Sequence, residues 1–485
     1  MRPTAEESID YSRKWWVMVA VGTSVLLATI DGSIVNVALP TMQADFGTTF
    51  NVIQWVALSY LLTLATLTLG VGRLGDVLGK KRIFLLGFAV FTLASVLCGL
   101  APNIELLITF RVIQAVGGTM MLALGASILI EAFPPDERGK ALGWIGTAVS
   151  VGIITGPVAG GLLISAFDWR AIFLVNVPVG IVGLWLAARA IPDLAPLPGQ
   201  RMDYYGAAVL SVTLLALSLA LTLGQSQGFA SPQIVALFTL ALAGLIAFVI
   251  LELRLASPMI DLRTFREPLL SVSVVTGFAT FVAASATFFL LPFYLEGVLG
   301  FEVREVGLLL GVTPLFLGIT SPLSGSLSDR IGVRRLTLAG LIILTLAFAA
   351  FRTIDVDTSV PAFLALVIPI GIGMGLFQSP NNSAIMSSVP REYSGVASGI
   401  LTQTRLLGQI AGIAVLGSVW AARVAAQVGG LEVGDAVSAP DYVQVAALRD
   451  TFTVAALLLA VATVLGFWGL REESRRRSRA QAGAV

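Results

Sequence analysis

The chain has 485 residues, of which 56% are hydrophobic and 12% are charged, and its mean hydropathy is +0.90. This composition provides more apolar surface than a soluble core can bury, so it predicts a polytopic membrane protein. The formal net charge of +1 argues against nucleic-acid binding, and the single cysteine, Cys98, excludes an intrachain disulfide framework and a cysteine-rich metal site. Since histidine is absent, Asp and Glu are the side chains expected to relay protons in the membrane.

Apolar runs of about 20 residues, bounded by charges or Gly/Pro turns, predict fourteen membrane-spanning helices. In chain order they are Trp15 to Leu39, Val52 to Val71, Ile83 to Leu100, Leu106 to Ile130, Ala141 to Ile164, Ala171 to Ala190, Tyr204 to Leu223, Pro232 to Leu253, Leu269 to Leu295, Val306 to Leu323, Leu336 to Phe351, Pro361 to Met386, Val396 to Trp420 and Thr451 to Leu470. The first run is too long for a cleaved signal peptide, so no removable targeting segment is expected.

The distribution of Lys and Arg predicts the orientation of these helices. With the N-terminus in the cytoplasm, 23 of the 30 basic residues fall in inner segments and five in outer loops, while Arg111 and Arg405 lie inside helices. Basic residues concentrate on the cytoplasmic side of membrane proteins. We therefore expect a multi-pass protein of the cell (inner) membrane with both termini in the cytoplasm.

An internal repeat predicts the domain organisation. "GRLGDVLGKKR" at Gly72–Arg82 and "GSLSDRIGVRR" at Gly325–Arg335 match in register, and each follows the second helix of a six-helix set. The offset of 253 residues exceeds the length of six helices by about two helices. The predicted fold is therefore all-α: a six-helix N-terminal half (residues 1–190), two inserted helices with linkers (191–260), and a six-helix C-terminal half with a basic cytoplasmic tail (261–485). Two parallel halves around a midplane site are typical of rocker-type transporters.

Four motifs resemble those of the major facilitator superfamily, and within it the fourteen-spanning drug:proton antiporters. "IDGSIVNVALP" resembles the helix-1 signature of that group, "GRLGDVLGKKR" the loop motif after helix 2, "RVIQAVGG" the proton-coupling motif of helix 4, and "GIITGPVAGG" the antiporter motif of helix 5. The resemblance covers nearly the whole chain and implies the major facilitator fold. The helix-5 motif favours export over import.

Glycines and charges in these motifs are candidates for conformational roles. Gly152, Gly156 and Gly160, with Pro157, place small residues on one side of helix 5 and predict close helix packing and a kink. The resemblance implies a latch at the cytoplasmic end of helix 2, in which Asp76 faces the start of a helix near Gly395. The residues of this conformational motif and its repeat are Gly72, Asp76, Gly79 and Arg82, and Gly325 and Asp329.

Asp31 lies deep in the first apolar run, where a carboxylate is expensive. At about 1.5 Å per residue, Asp31 and Arg111 lie at similar depths below the outer surface, so we expect them to pair, directly or through Gln114. Burial and a nearby cation act in opposite directions on a carboxyl group. This balance makes Asp31 the predicted proton site, with Arg111 and Gln114 as its coupling partners, although a static structural ion pair is the alternative.

Polar and aromatic residues in later helices predict a substrate cavity. Amides and a cation inside apolar helices need water or each other, and aromatic side chains provide an adaptable wall. The candidates are Asn36, Gln378, Asn381, Asn382, Gln403 and Arg405, with Phe289 and Phe293; Gln409 shares the helix of Arg405. Helix 10 contains no carboxylate and Asp31 is expected to be the only acid well inside a helix, so neutral or monovalent lipophilic substrates are favoured over divalent cations.

The predicted function is proton-coupled efflux of hydrophobic compounds, cationic drugs or toxic compounds included, by alternating access. No nucleotide-binding motif is found, so neither ATP hydrolysis nor enzyme activity, cofactor or metal is expected. The expected partners are a lipophilic small molecule, protons and membrane lipid, with the protein acting as a monomer. Two alternatives stay open: an inner-membrane pump that works with a periplasmic adaptor, and a proton-coupled importer of a small nutrient.

Overall fold

The computed structural model describes residues 13–134, 137–192, 204–255, 267–388, 394–428 and 433–482. Within these ranges the secondary structure is helical, and 13 helices are long and apolar enough to cross a membrane. A further helix covers Tyr204–Gln227, where the sequence predicts the seventh span. The all-α, multi-pass architecture predicted from the sequence is therefore confirmed.

The helices follow the predicted order, with several spans divided by short irregularities. They are α1 Lys14–Phe46, α2 Phe50–Ile53, α3 Trp55–Leu78, α4 Lys80–Gly99, α5 Ile104–Ala132, α6 Arg138–Ala166, α7 Ala171–Leu174, α8 Asn176–Ala190, α9 Tyr204–Gln227, α10 Pro232–Arg254, α11 Pro268–Phe293, α12 Val303–Ile331, α13 Val333–Ala350, α14 Val360–Ser387, α15 Ser394–Ala411, α16 Gly417–Val428 and α17 Asp441–Ala482. Turns of π-helix at Tyr294–Val298 and Gly412–Leu416 continue α11 and α15. The last helix begins at Asp441 rather than at the predicted Thr451, because its first turns are polar and hydropathy alone does not detect them.

Contacts divide the chain into two compact units. The first comprises Met1–Ala38 and Trp55–Ala207, and the second comprises Leu39–Gln54 and Ala208–Val485. The segment Leu39–Gln54 thus packs with helices that lie far along the chain. This division does not test the predicted insertion of two helices between six-helix halves, which stays a prediction.

The internal repeat has a structural counterpart within each unit. Gly79 and Gly332 join consecutive helices with φ angles of +97° and +96°, a backbone conformation that side chains with a Cβ rarely adopt. In the first unit a Cβ built on Gly87 would lie 2.7 Å from Met120 Cβ, and in the second unit one built on Gly340 would lie 2.7 Å from the backbone nitrogen of Phe377. Glycine therefore permits close helix packing at equivalent places in both units.

Helix α6 packs against α1 through the glycines of the helix-5 motif. A Cβ on Gly152 would collide with Thr29, and one on Gly156 would collide with Ser33. The Ser33 hydroxyl donates to the Gly152 carbonyl at 3.3 Å, and a Cβ on Gly160 would lie 2.9 Å from Ile34 Cγ1. The spacing of these small residues therefore allows α6 to approach the helix that carries Asp31.

Candidate functional site

Asp31 lies on α1 at the centre of a closed hydrogen-bond network in the first unit. Its Oδ2 accepts from Arg111 Nη1 at 2.5 Å, and its Oδ1 accepts from Gln114 Nε2 at 2.8 Å and Asn176 Nδ2 at 3.0 Å. Asp31 is 0% exposed and Arg111 is 1% exposed. The structure thus brings the predicted proton-coupling residues together, with both carboxylate oxygens engaged by donors.

Arg111 is held by three further groups. Its Nε donates to the Val56 carbonyl at 3.2 Å, its Nη1 also donates to Gln114 Oε1 at 2.7 Å, and its guanidinium lies 4.2 Å from the ring centroid of Tyr60. A buried ion pair offsets its desolvation cost only when the remaining polar atoms are also satisfied. Both carboxylate oxygens of Asp31 and the Nε and Nη1 groups of Arg111 have partners, which offsets the cost of holding two charges away from water, whereas the Tyr60 hydroxyl is buried without a hydrogen-bond partner.

Asn176 and Ser95 belong to the network, although the sequence analysis did not select them. Ser95 Oγ accepts from Gln114 Nε2 at 2.8 Å, and Asn176 begins α8 and reaches Asp31 from there. An amide inside the apolar run "FLVNVPVG" is itself a signal, because an amide facing hydrocarbon would lack partners. The cost of burying polar groups, which singled out Asp31, applies equally to Asn176.

The polar candidates of the second unit differ in burial and in the hydrogen bonds described for them. Asn381 is buried and donates from Nδ2 to the Ser273 carbonyl at 3.1 Å, while its Oδ1 has no hydrogen-bond partner. Gln403 is buried, Arg405 and Gln378 are half-buried, and Asn382 is exposed. In the first unit Asn36 is half-buried. The assignment of these residues to a substrate cavity stays a prediction.

Phe289 and Phe293 pack in an aromatic cluster of the second unit. The Phe50 ring centroid lies 5.4 Å from those of both phenylalanines and 4.8 Å from that of Trp420. Phe289 is 0% exposed and Phe293 is 4% exposed. In this conformation the two rings are therefore part of a packed cluster that includes the start of the second span, and a role in a cavity wall would require the cluster to open.

Two acids near helix ends, one buried and one half-buried, were not identified from the sequence. Glu252 on α10 is 3% exposed. Glu296 lies in the π-helical turn after α11, where its Oε1 accepts from Thr41 Oγ1 at 3.3 Å and its Oε2 is buried without a hydrogen-bond partner. Both acids lie near helix ends, so they do not contradict the expectation that Asp31 is the only acid well inside a helix; hydropathy placed the helix end before Glu296.

The structure describes some residues of the conformational motif and not others. Gly72 and Gly325 lie within α3 and α12, Gly79 has a positive φ, and Arg82 is exposed on the first turn of α4. The side chains of Asp76 and Asp329, and the residues around Gly395 that would complete the latch, lie outside the described side chains. The latch stays a prediction. Among the described residues, no group of three or more His, Cys, Asp or Glu is placed to hold a metal ion.

The fold and the buried charge network define a helical, multi-pass membrane protein with a polar core. The sequence profile of the Major Facilitator Superfamily matches residues 21–413, and the chain belongs to this family. It is 33% identical over 412 residues to the riboflavin transporter RibZ of Clostridioides difficile, covering 84% of this chain and 89% of the relative. It is 34% identical over 410 residues to the multidrug resistance protein Stp of Mycobacterium tuberculosis, covering 84% and 76%.

A solved structure supports the fold. The crystal structure of a bacterial homologue of the human lysosomal transporter Spinster, in an inward-facing and unoccupied conformation, aligns with a TM-score of 0.68 at 18% identity. The alignment covers 95% of this chain and 97% of that chain. Membership of the Major Facilitator Superfamily makes the protein a membrane transporter of small molecules, not an enzyme.

Proposed function

We propose that the protein exports lipophilic compounds from the cell in exchange for protons. Three features support this proposal: the buried Asp31 network, the packing of the helix-5 motif against the helix that carries Asp31, and the similarity to a multidrug resistance protein. The first carries most weight, because an acid at this depth is typically retained for a function such as proton transfer.

The contacts of Asp31 indicate how a proton would change the protein. In the charged form the carboxylate accepts from Arg111, Gln114 and Asn176, so protonation would remove one acceptor and the counter-charge of Arg111. A change of this kind at a buried pair can bias a conformational equilibrium. Because Asp31 is 0% exposed here, proton exchange requires a different conformation, as alternating access demands.

The test begins with a growth-inhibitor panel in an efflux-deficient host, which identifies a transported compound. Purified protein in vesicles should then release protons when that compound is added. We expect Asp31→Asn to insert and bind the compound but release no protons, and Asp31→Glu to be partly active. If Asp31→Asn vesicles couple a pH gradient to transport at the wild-type rate, Asp31 is structural and the proton site lies elsewhere.

The orientation in the membrane is part of the proposal. In a Cys98→Ser background, cysteines at Thr48 and Asp357 should react with an impermeant maleimide from outside, and cysteines at Gly199 and Ala480 should not. Thr48 is preferred to Gly47, whose φ of +59° favours glycine. Labelling of Gly199→Cys from outside would reverse the proposed topology.

A second candidate function is proton-coupled uptake of a small nutrient, and the similarity to a riboflavin transporter is the observation that favours it. Import and export predict opposite proton movements in oriented vesicles, with symport acidifying the compartment that receives the nutrient. Radiolabelled riboflavin is the first compound to test for proton-coupled uptake. An adaptor-dependent pump would instead co-purify with a periplasmic partner.

A further inference from the structure

Arg405 is a cation near the middle of a membrane span in the second unit. It lies on α15, within the span Ala397–Val428. At about 1.5 Å per residue, the step from Ala397 to Arg405 is about 12 Å, close to half of a hydrocarbon core of about 30 Å. A positive charge at that depth is costly unless water or an opposite charge accompanies it.

The described residues supply no such partner to Arg405. Its guanidinium makes no hydrogen bond and no ion pair in the part of the chain that the structure describes. The two buried arginines within the spans are engaged: Arg111 pairs with Asp31, and Arg334 donates to Ser273 Oγ at 2.9 Å. Among the described residues, nothing compensates the charge of Arg405.

Exposure distinguishes Arg405 from the outermost apolar positions of the second unit. Exposed apolar positions on α17, such as Leu457 and Val464, are 62% and 69% exposed, whereas Arg405 is half-buried. One turn along α15 from Arg405, Gly408 packs on α11, where a Cβ would lie 2.6 Å from Phe281 Cβ. Arg405 thus lies beside this helix contact and keeps part of its surface outside it.

Polar neighbours of Arg405 lie along one side of α15. Ser398, Thr402, Arg405 and Gln409 recur at helical spacing and lie on one stripe, and all four retain exposed surface. The Gln409 amide forms no hydrogen bond with any described residue. Arg405 and Gln409 together offer guanidinium and amide N–H donors one helical turn apart, which suits a carboxylate.

The balance of charge along this stripe is positive. It contains no acid, and the oxygens of Asp31 in the first unit are occupied by Arg111, Gln114 and Asn176. A substrate cation close to Arg405 would be repelled, while an anion would supply the missing counter-charge. A cationic substrate, which the sequence left open, therefore fits this stripe less well than an anionic substrate does.

We propose that Arg405, assisted by Gln409 and Thr402, binds the carboxylate or similar acidic group of a lipophilic organic anion, which is the transported substrate. The inference rests on the proposed transport function. Exchange of one monovalent anion outward for one proton inward moves two positive charges inward. Transport should therefore depend on membrane potential, unlike electroneutral exchange of a monovalent cation for one proton.

The experiment uses three fluorescent probes that differ only in their end group: dansylaminoundecanoate, its neutral carboxamide and the corresponding amine. Binding to purified full-length protein is measured by dansyl fluorescence. We expect the carboxylate to bind about tenfold more tightly than the carboxamide, since a charge-assisted pair contributes about that much. The amine should bind most weakly. Tighter binding of the amine by the wild-type protein would overturn the proposal without any variant.

Variants then assign the selectivity to one side chain. Arg405→Gln should remove the preference for the carboxylate while binding the carboxamide within about twofold of wild type, and Arg405→Lys should keep part of the preference. The matched control is Arg423→Gln, because Arg423 is an exposed cation further along the same span, 3.6 Å from Asp450. Carboxamide binding verifies that each variant is folded. An unchanged carboxylate preference in Arg405→Gln contradicts the proposal.

The outcome separates this inference from the proposed function. Carboxylate binding that depends on Arg405 but moves no protons in vesicles would support the anion site and contradict proton coupling. Proton release driven by the amine and lost in Asp31→Asn would support proton-coupled export and contradict the anion site. Carboxylate transport that accelerates about severalfold under an inside-negative potential, in vesicles oriented as in the cell, supports both.

Discussion

Arg111 and Arg405 are both arginines inside membrane spans, but their surroundings differ. Arg111 in the first unit is 1% exposed and donates to Asp31, Gln114 and the Val56 carbonyl. Arg405 in the second unit is half-buried and forms no hydrogen bond or ion pair with the described residues. One charge is neutralised by the protein itself, and the other remains available to a ligand.

The comparison of Arg111 with Arg405 indicates that the cost of a charge within a span can be met in two ways. A permanent partner stabilises the fold. Such a pair can also respond to a proton, because protonation of its acid removes the charge interaction. A charge without a partner requires water until a ligand supplies the opposite charge. The first arrangement suits coupling and the second suits substrate recognition, and separate helices carry them.

The largest expected effect comes from removal of the paired cation. Arg111→Gln leaves the Asp31 carboxylate buried without its counter-charge, so we expect a loss of stability of about 3–5 kcal/mol. The double variant Arg111→Gln/Asp31→Asn should recover a substantial part of this loss, because no unpaired charge remains. Thermal inactivation in detergent, followed by the fraction of monodisperse protein, measures both.

Arg405→Gln is the matched comparison, since it makes the same substitution at a charge without a partner. Its stability should stay unchanged or rise, because no partner is lost and the cost of a charge within the span is removed. Equal destabilisation by Arg111→Gln and Arg405→Gln would show that the distinction between the two arginines does not hold in solution.

A smaller effect is expected at the helix contact that positions Asp31. Gly156→Leu would collide with Ser33 on α1, and we expect protein that inserts but does not export, with a stability loss of about 1–3 kcal/mol from overpacking. Gly146→Leu is the control on the same helix, because a Cβ there meets nothing within 4 Å. Normal export by Gly156→Leu would show that the helix-5 motif has no role beyond ordinary helix packing.

Glu296 extends the comparison to a half-buried acid that has no cation among its described partners. Its carboxyl accepts from Thr41, and its second oxygen is buried without a partner, so the neutral amide of Glu296→Gln should be tolerated. We expect a stability change below about 1 kcal/mol, including a gain. A loss as large as that of Arg111→Gln would indicate that Glu296 acts as a charged partner.

The smallest effect is expected at an exposed acid outside the spans. The backbone N–H of Val356 donates to Asp355 at 2.9 Å, and this bond and Arg449, 3.0 Å away, hold the pKa of Asp355 below its ordinary value. A depressed pKa contributes stability above the ordinary value of about 4, and this contribution is lost as the pH falls through the lower folded value. The small difference in thermal stability between wild type and Asp355→Asn should therefore shrink in acid and in high salt. A difference that is constant down to acid pH contradicts this assignment.

The sequence predicted the helices well because hydropathy over about 20 residues is a strong local signal. It also indicated Asp31, Arg111 and Gln114, since unpaired polar groups are costly in hydrocarbon. Asn176 was missed because a single amide in an apolar helix changes hydropathy little, although its contact with Asp31 is as direct as that of Gln114. The start of α17 and the helical position of Glu296 were missed because polar residues continue a helix beyond its apolar run.

The sequence by itself determined the multi-pass helical architecture, the internal repeat and the presence of costly charges within the spans, because each depends on composition and spacing along one segment. Which of these charges have ion-pair or hydrogen-bond partners depends on the tertiary structure. Arg111 and Arg405 are alike in chemistry and both lie in apolar helices, but partners come from residues distant in the chain. Asp31 is brought to Arg111 by the packing of separate helices, and no described residue is brought to Arg405.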